Sequence, residues 1–197
     1  MNNSINREGR GFTLIELLVV IAILAVLAAA VVLTLNPAEL IKQGRDSTRI
    51  ADMAAMNSAL SLYLADLSSP DLDASAPSAF ACDASGASCT AAGTPPTGSC
   101  TNITSTTVDG TGWVAVNFTG ISSGAPMARL PKDPVNSTTY FYMYDCSNTN
   151  STYELLAKME STKYATTSAS EVMSASKDGG DDTGWYEVGN DPALDLQ

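Results

Sequence analysis

The feature that most constrains the fold of this chain is an apolar run that extends from Phe12 to Leu35. A membrane-spanning helix needs about 20 consecutive apolar residues, so this run is long enough to cross a bilayer. It contains one carboxylate, Glu16, four residues inside its start. Because a charge in hydrocarbon costs at least about 2.5 kcal/mol, an acidic residue at such a position indicates a function and a charged partner.

Two ordinary explanations of the apolar run are available. A secretory signal peptide would have an apolar region of about 7–15 residues followed by a small-residue cleavage site, and this run is longer. A single-pass anchor is the simpler alternative, in which Glu16 lies near the helix end and reaches the membrane interface. The position of Glu16 alone does not distinguish such an anchor from a helix in which Glu16 has a function.

The residues on either side of the run resemble the type III signal of type IV prepilins and pseudopilins. A short polar leader, residues 1–11, carries Arg7 and Arg10 and ends in Gly11, and Phe12 and then Glu16 follow. The resemblance implies that a prepilin peptidase cleaves between Gly11 and Phe12 and methylates the new amino group of Phe12.

The same resemblance implies an assembly route and a set of partners. An inner-membrane platform with an ATPase would extract the subunits from the membrane, and their apolar helices would then form the core of a homopolymer with minor pilins. In that core Glu16 would pair with the amino group of a neighbouring Phe12. A buried ion pair of this type is a good device for fixing register, although it is weak evidence for stability.

Beyond the apolar run, helical periodicity continues to Leu67. Asn36 and Pro37 interrupt it, and proline predicts a kink or local break. An apolar stripe follows at helical spacing, and its members are Leu40, Ile50, Met53, Ala54, Leu60, Leu64 and Leu67. We place the charged residues of this segment largely on the opposite face, and they are Lys42, Arg45, Asp46, Arg49 and Asp52.

Four later segments combine β-branched and aromatic residues with flanking turn residues, which is typical of strands. They are Trp113–Phe118, Tyr140–Tyr144, Tyr153–Ala157 and Trp185–Val188. Helices followed by antiparallel strands indicate an α+β fold. The resemblance implies the pilin fold, in which a long N-terminal helix, transmembrane in its first half, packs on a small antiparallel sheet of three to four strands.

These elements divide the chain into five segments. They are a leader at 1–11, a transmembrane or filament-core helix at 12–35, the amphipathic second half of the helix at 36–67, a cysteine-containing loop at 68–112, and the antiparallel sheet with a C-terminal loop at 113–197.

All four cysteines follow the membrane run, and they are Cys82, Cys89, Cys100 and Cys146. An even number in an exported domain predicts two disulfides, for which three connectivities exist. We expect Cys146 to bond to one of the other three. The spacings fit no zinc motif and the chain contains no histidine. Disulfides imply an oxidising compartment outside the cytoplasm.

The charge and residue types exclude several functions. A net charge of −11 repels nucleic-acid phosphates, so we expect no direct nucleic-acid binding. The chain has no histidine and no G-x-S-x-G motif, so we predict that it is not an enzyme. Asp71 and Asp73 could be described as paired carboxylates, but acidic residues in a loop are usually solvated.

Near the C-terminus, Asp178, Asp181 and Asp182 form an oxygen-rich segment of the kind that binds calcium. The spacing does not match an EF-hand, and a polar turn before the last strand is the alternative. Calcium is favoured mainly by a resemblance of Leu130–Pro134 and of Asp178–Asp182 to major pseudopilins of the G-type class.

We therefore predict a structural subunit that polymerises into a type IV pilus-like filament. The chain would begin as a single-pass precursor in the inner membrane and end in an extracellular or periplasmic filament. The alternative within this class is the major pseudopilin of a type II secretion system. An alternative from another class is a monomeric, membrane-anchored extracellular binding module.

Overall fold

The computed structural model describes residues 11–73, 81–82, 101–165, 170–174, 177–180 and 182–191. The chain divides into two compact units, Met1–Leu40 and Ile41–Gln197. The first unit contains the apolar helix, and the second contains the sheet and most of a second helix.

Helix α1, Leu14–Leu35, forms from the apolar run. It ends at Asn36, whose backbone is left-handed with a φ of 40°, and helix α2, Pro37–Asp66, begins at the next residue. Proline is favoured at a first helical position, where its missing N–H would have no intrahelical partner. The amides of Glu39 and Leu40 donate to the Asn36 carbonyl oxygen over 3.0 and 3.3 Å. The predicted break is confirmed.

Helix α2 buries one face against the rest of the second unit. Its buried apolar residues are Met53, Met56, Ala59, Leu60 and Tyr63. The predicted stripe is wrong in part, because Leu40 is 52% exposed and Ala54 is also exposed. The predicted polar face is wrong at Asp46 and Arg49, which are both fully buried. These two charges pack inward because other loops supply ion-pair partners for them.

Three longer strands form most of the antiparallel sheet, and they are β3 (Tyr142–Ser147), β4 (Thr152–Ala157) and β5 (Tyr186–Gly189). Strand β4 pairs with both neighbours, with Tyr144 opposite Leu155 and Leu155 opposite Val188. A turn joins β3 to β4. The α+β class and the antiparallel sheet are therefore confirmed.

Two very short strands extend the sheet beyond β3. They are β1 (Ala81–Cys82), antiparallel to β3, and β2 (Thr101–Asn102), parallel to β1. The full order is β2-β1-β3-β4-β5. The prediction of an irregular loop at 68–112 is therefore wrong at these four residues, which are too few to produce a strand pattern in the sequence.

The segment Trp113–Phe118 is buried except at Asn117, but it does not form the predicted strand. Its only ladder contact among the described residues is an isolated bridge between Asp109 and Asn117, and a 3-10 turn follows from Phe118 to Gly120. Its apolar residues are buried because the side chains fill the core: the Phe118 ring meets Tyr63 of α2 edge-on, with centroids 6.0 Å apart. Burial rather than backbone pairing explains the strand-like composition.

The core lies between α2 and one face of the sheet. Alternate strand residues such as Tyr144, Tyr153 and Leu155 share a buried cluster with Met53 and Leu60 of the helix. Fully burying an aliphatic side chain such as Leu60 or Leu155 contributes about 1.5–3 kcal/mol to the stability of the fold. Two polar contacts fix the helix on the sheet: the Tyr142 hydroxyl donates to Asp52 over 2.7 Å, and the Tyr153 hydroxyl donates to Asn57 over 2.6 Å.

Candidate functional site

The start of α1 is closed by a reciprocal capping box between Thr13 and Glu16. The Glu16 amide donates to Thr13 Oγ1 over 3.3 Å. In return, Glu16 Oε2 accepts from both the amide and the hydroxyl of Thr13, each over 2.8 Å. The box satisfies two backbone donors at the helix start and also fixes the rotamer of the Glu16 side chain.

The capping box leaves part of the Glu16 carboxylate available to another group. Both hydrogen bonds that the carboxylate accepts in the box go to Oε2, so Oε1 is not used within it. A shallow depression beside the carboxylate is lined by Phe12, Ile15, Glu16, Val19 and Val20. The Glu16 carboxylate therefore presents one oxygen, Oε1, at the edge of an apolar depression. This arrangement suits a cation that is attached to an apolar segment of chain.

Helix α1 is exposed along its described length. Every residue from Gly11 to Val32 is exposed, and the large apolar side chains of this stretch are 47–89% exposed. Leu14–Val32 is long and apolar enough to cross a membrane. Water would be an unfavourable surrounding for a surface of this size, because each Å² of apolar area costs about 25 cal/mol when it is left in water. A surface of this size therefore needs an apolar covering.

The Gly11–Phe12 junction is accessible. Both residues are exposed, and a Cβ added at Gly11 would meet no atom within 4 Å. A larger residue at this position would therefore not clash with the described chain. Residues 1–10 of the predicted leader lie outside the described residues.

Sequence reasoning missed a buried ion cluster in the second unit, centred on Arg49 of α2. Arg49 donates to Asp133 through Nε and a terminal nitrogen, over 2.6 and 3.0 Å, and its other terminal nitrogen reaches Asp46 and Glu160 over 2.7 and 2.6 Å. Arg45 also binds Glu160, over 2.9 and 2.5 Å. The cluster joins the early turns of α2 to two loops that are distant in sequence.

Charge pairing outweighs burial within this cluster. Burial by itself would lower the pKa of Arg49, but the hydrogen bonds and charge of Asp133, together with Glu160 and Asp46, raise it. Burial likewise would raise the pKa of Glu160, whereas hydrogen bonds from Arg45 and Arg49 lower it. Arg49 and Glu160 are therefore ionised at neutral pH, and removing the arginine would leave buried carboxylates uncompensated.

The predicted calcium residues are only partly described, because Asp181 lies outside the described residues. Asp178 Oδ1 accepts from the Gly180 amide over 3.2 Å, and Asp182 Oδ1 accepts from the Gly184 amide over 2.7 Å. Asp182 Oδ2 is buried without a hydrogen-bond partner, which would fit a cation. Within the described part of the chain, however, no group of three or more acidic or cysteine side chains could hold a metal ion. Calcium binding stays a prediction.

The disulfide prediction for Cys146 is wrong in this structure. Cys146 has a free, buried thiol, and its Sγ donates to the Leu72 carbonyl oxygen over 3.3 Å. The thiol therefore lies inside the core beside Leu72. The position of Cys146 in the sequence did not predict this location. Cys89 and Cys100 lie outside the described residues, as does the Cys82 side chain, so a disulfide among these three stays a prediction.

The comparison with protein families finds a match at the N-terminus of the chain. Residues 7–32 match the family described as the prokaryotic N-terminal methylation motif, which is typical of type IV pilins and pseudopilins. The match includes Gly11, Phe12, Thr13 and Glu16. No curated protein and no solved structure matches the chain significantly.

Proposed function

We propose that this chain is the structural subunit of a type IV pilus-like filament that assembles outside the cytoplasm. The methylation motif at residues 7–32 supports a pilin-like or pseudopilin subunit, which a prepilin peptidase processes and which begins as a membrane-anchored precursor. The more specific part of the proposal is that the filament is a true pilus rather than a secretion pseudopilus.

The observation that carries the proposal is the exposure of α1 over its described side chains, as far as Val32, together with its single carboxylate. The described apolar surface from Phe12 to Val32 has no cover within its own unit. In the precursor, lipid covers it. After extraction from the membrane, only other copies of the same helix offer an equally apolar surface, so the helices would bundle into a core.

Glu16 gives this bundle its register. Cleavage after Gly11 creates a positive amino group on Phe12, four residues before the carboxylate. In the proposed filament this amino group from one copy would bind Glu16 Oε1 of the next. Because an unpaired carboxylate in an apolar bundle costs several kcal/mol, a shifted register that separates the two charges would be disfavoured.

Electron microscopy of material sheared from cells that express the chain with a prepilin peptidase and an assembly platform tests the proposal. We expect filaments from the wild type and none from Gly11→Leu, because the exposed junction then fails as a peptidase substrate. The space around Gly11 is open within the described chain, so the loss would reflect processing rather than misfolding. Filaments from the uncleaved variant would contradict the proposal.

Two other functions remain as alternatives. A pseudopilin of a type II secretion system would form short filaments only, and secretion of other proteins would fail in its absence. A monomeric, membrane-anchored binding module would keep lipid around α1 permanently. Microscopy separates the module from the polymer, and a secretion assay in a deletion strain separates the pseudopilus from the pilus.

A further inference from the structure

The second unit carries a small depression whose lining residues include both a cation and a carboxylate. Ligand pockets in proteins usually have volumes of about 300–1,000 Å³, so a depression close to the lower limit suits a small ligand. The volume here is about 280 Å³, and the lining residues are Thr106, Thr107, Val108, Asp109, Ala128 and Arg129. None of them belongs to helix α1 or to the ion cluster around Arg49.

Backbone packing fixes the distance between the two segments that form the depression. The Leu130 amide donates to the Thr106 carbonyl oxygen over 2.9 Å, so the residue after Arg129 is bonded directly to the opposite wall. Gly112 lies against that wall, because a Cβ at this position would clash with the Thr107 carbonyl oxygen and with the Leu130 side chain. The depression is therefore part of the folded unit and does not require a ligand in order to form.

Asp109 supplies the negative charge of the depression. Its Oδ1 accepts from the hydroxyl and the amide of Thr111, over 2.6 and 3.1 Å, and these hydrogen bonds lower the pKa of Asp109. The Thr107 hydroxyl lies 2.8 Å from the Thr111 hydroxyl and donates to it, because Thr111 has given its single hydroxyl proton to Asp109. Asp109 is therefore ionised at neutral pH, and its Oδ2 takes no part in the bonds from Thr111.

Arg129 supplies the positive charge, and its side chain is exposed. Arg45 and Arg49 are both bound to carboxylates, whereas Arg129 makes no ion pair with any residue that the structure describes. In particular, Arg129 and Asp109 line the same depression without pairing with each other. The depression therefore presents two opposite charges that do not neutralise one another directly.

This pair of charges disfavours ligands that carry one sign of charge or none. Asp109 would repel a polyanion, and Arg129 would repel a divalent cation, which would also need more oxygen ligands than one carboxylate supplies. A neutral ligand would displace water from both charges without replacing that water by an ion pair. A ligand that carries one charge of each sign compensates both side chains.

We propose that this depression binds a small zwitterion, with the anionic group of the ligand on Arg129 and its ammonium group on Asp109. A guanidinium group can bind a carboxylate or a phosphate through two parallel hydrogen bonds. Free α-amino acids and phosphoethanolamine headgroups share this chemistry, because each carries an anionic group and an ammonium group a few bonds apart. The inference goes beyond the proposed function, because it gives the second unit a ligand that filament assembly does not require.

The size and exposure of the depression set the expected affinity. At ~30 Å³ for each water molecule, the volume holds roughly nine waters, so the ligand is a single amino acid or headgroup and not a polymer. Few ligand atoms and solvent-exposed charges favour a dissociation constant on the order of 1 mM. Binding of this strength exchanges rapidly and is measured by saturation-transfer NMR on the ligand.

The test uses the full chain in dodecyl maltoside micelles, which cover the apolar helix. L-serine and O-phosphoethanolamine are the two zwitterionic probes, and they distinguish a free amino acid from a headgroup. Acetate and ethanolamine each carry only one of the two charges and serve as matched control ligands. At least one zwitterion should bind with a dissociation constant at least tenfold lower than those of both controls.

Two variants assign the binding to this depression. Arg129→Gln should weaken binding of the zwitterion at least tenfold, because the ligand's anionic group loses its cation. Asp109→Asn, which keeps an oxygen for Thr111, should weaken the zwitterion similarly but should strengthen acetate binding, because the repulsive carboxylate is removed. Lys177→Gln removes a positive charge from an exposed lysine outside the depression and should bind as the wild type does.

The outcomes do not depend on whether filaments form. Binding of either zwitterion that is lost in both variants supports the inference, and the probe that binds more tightly identifies the ligand class. Equal binding of the zwitterions and the single-charge controls would overturn it. So would the absence of saturation by both zwitterions up to about 50 mM, or unchanged affinity in Arg129→Gln.

Discussion

Arg49 and Asp133 form a two-pronged ion pair in the interior of the second unit, with nitrogen–oxygen distances of 2.6 and 3.0 Å. Both side chains have no exposed surface. The pair joins α2 to a loop 84 residues further along the chain. Asp133 Oδ1 also accepts from the amides of Val135 and Asn136, so it orders its own loop while it binds the helix.

Replacing Arg49 with methionine should lower the free energy of unfolding by about 3–5 kcal/mol, because Asp46, Asp133 and Glu160 would be left buried without their common cation. Arg49→Lys should also destabilise the protein, because an ammonium group cannot make the two-pronged contact. Urea unfolding of a chain truncated before residue 38 measures both, and we expect this ectodomain to fold alone. Lys42→Met, which leaves no buried carboxylate behind, should change stability by less than about 0.5 kcal/mol.

A second prediction concerns the capping box. Thr13→Val removes the hydroxyl that binds Glu16, so helix α1 loses a cap that contributes about 0.5–2 kcal/mol and the carboxylate loses its fixed position. Filament yield should therefore fall severalfold, while Thr13→Ser should assemble normally because serine keeps the hydroxyl. Quantitative blotting of sheared filaments checks both variants, and equal yields from the valine and serine variants would show that the box is irrelevant to assembly.

Replacing Glu16 should reduce filament yield more than replacing Thr13 does. Glu16→Ala should be cleaved at Gly11 but should give few or no filaments, because the amino group of Phe12 would lose its partner. The precursor and mature forms are separated by electrophoresis of the membrane fraction. A normal filament yield from this variant would mean that Glu16 simply reaches the membrane interface, as a plain anchor would allow.

The stability of the second unit should depend on pH through Asp145. Burial raises the pKa of Asp145 to about 6, above its usual 3.8. The folded state therefore holds the proton more tightly, so the contribution of Asp145 to stability is present below about pH 4 and is lost as the pH rises through about 6. Asp145→Asn keeps an oxygen that can accept from the Cys146 amide, as Asp145 Oδ1 does over 2.7 Å.

We expect Asp145→Asn to be more stable than the wild type at pH 7.5 by about 2–3 kcal/mol, and the difference to shrink towards zero near pH 4. Urea titrations of the ectodomain at both pH values give this difference directly. A difference that stays constant between pH 4 and 7.5 would show that Asp145 has an ordinary pKa in the folded state.

The Cys146 thiol gives a chemical test of the core. Burial raises its pKa to about 12, so the reactive thiolate is scarce at pH 8. Iodoacetamide should leave Cys146 unmodified in the native protein and should label it in urea without any reductant. If labelling in urea requires a reductant, then Cys146 forms a disulfide in the isolated protein.

Local sequence patterns predicted the elements whose structure depends on nearby residues. The apolar run predicted α1, Pro37 predicted the break, and the tyrosine-rich segments predicted β3 and β4. The signal at Gly11, Phe12 and Glu16 was equally local, because these residues lie within six positions of one another in the sequence. None of these predictions required knowledge of what the chain packs against.

Features that depend on distant partners were missed. Arg49 and Asp46 are charged residues on an amphipathic helix, and helical spacing alone places them on the solvent face. Their burial is favourable only because Asp133 and Glu160 come from loops 84 and more than 100 residues away. Trp113–Phe118 was misread for a related reason, since burial of aromatic and β-branched side chains produces the same pattern whether or not the backbone joins a sheet.

Intact-mass spectrometry of the subunit in purified filaments tests the central claim most directly. We predict a chain that lacks residues 1–11 and begins at Phe12 with one methyl group on its amino nitrogen. A fragment spectrum of the N-terminal peptide would place that methyl group on the nitrogen rather than on a side chain. A chain that still begins at Met1, found as monomers in the membrane and never in filaments, would contradict the claim.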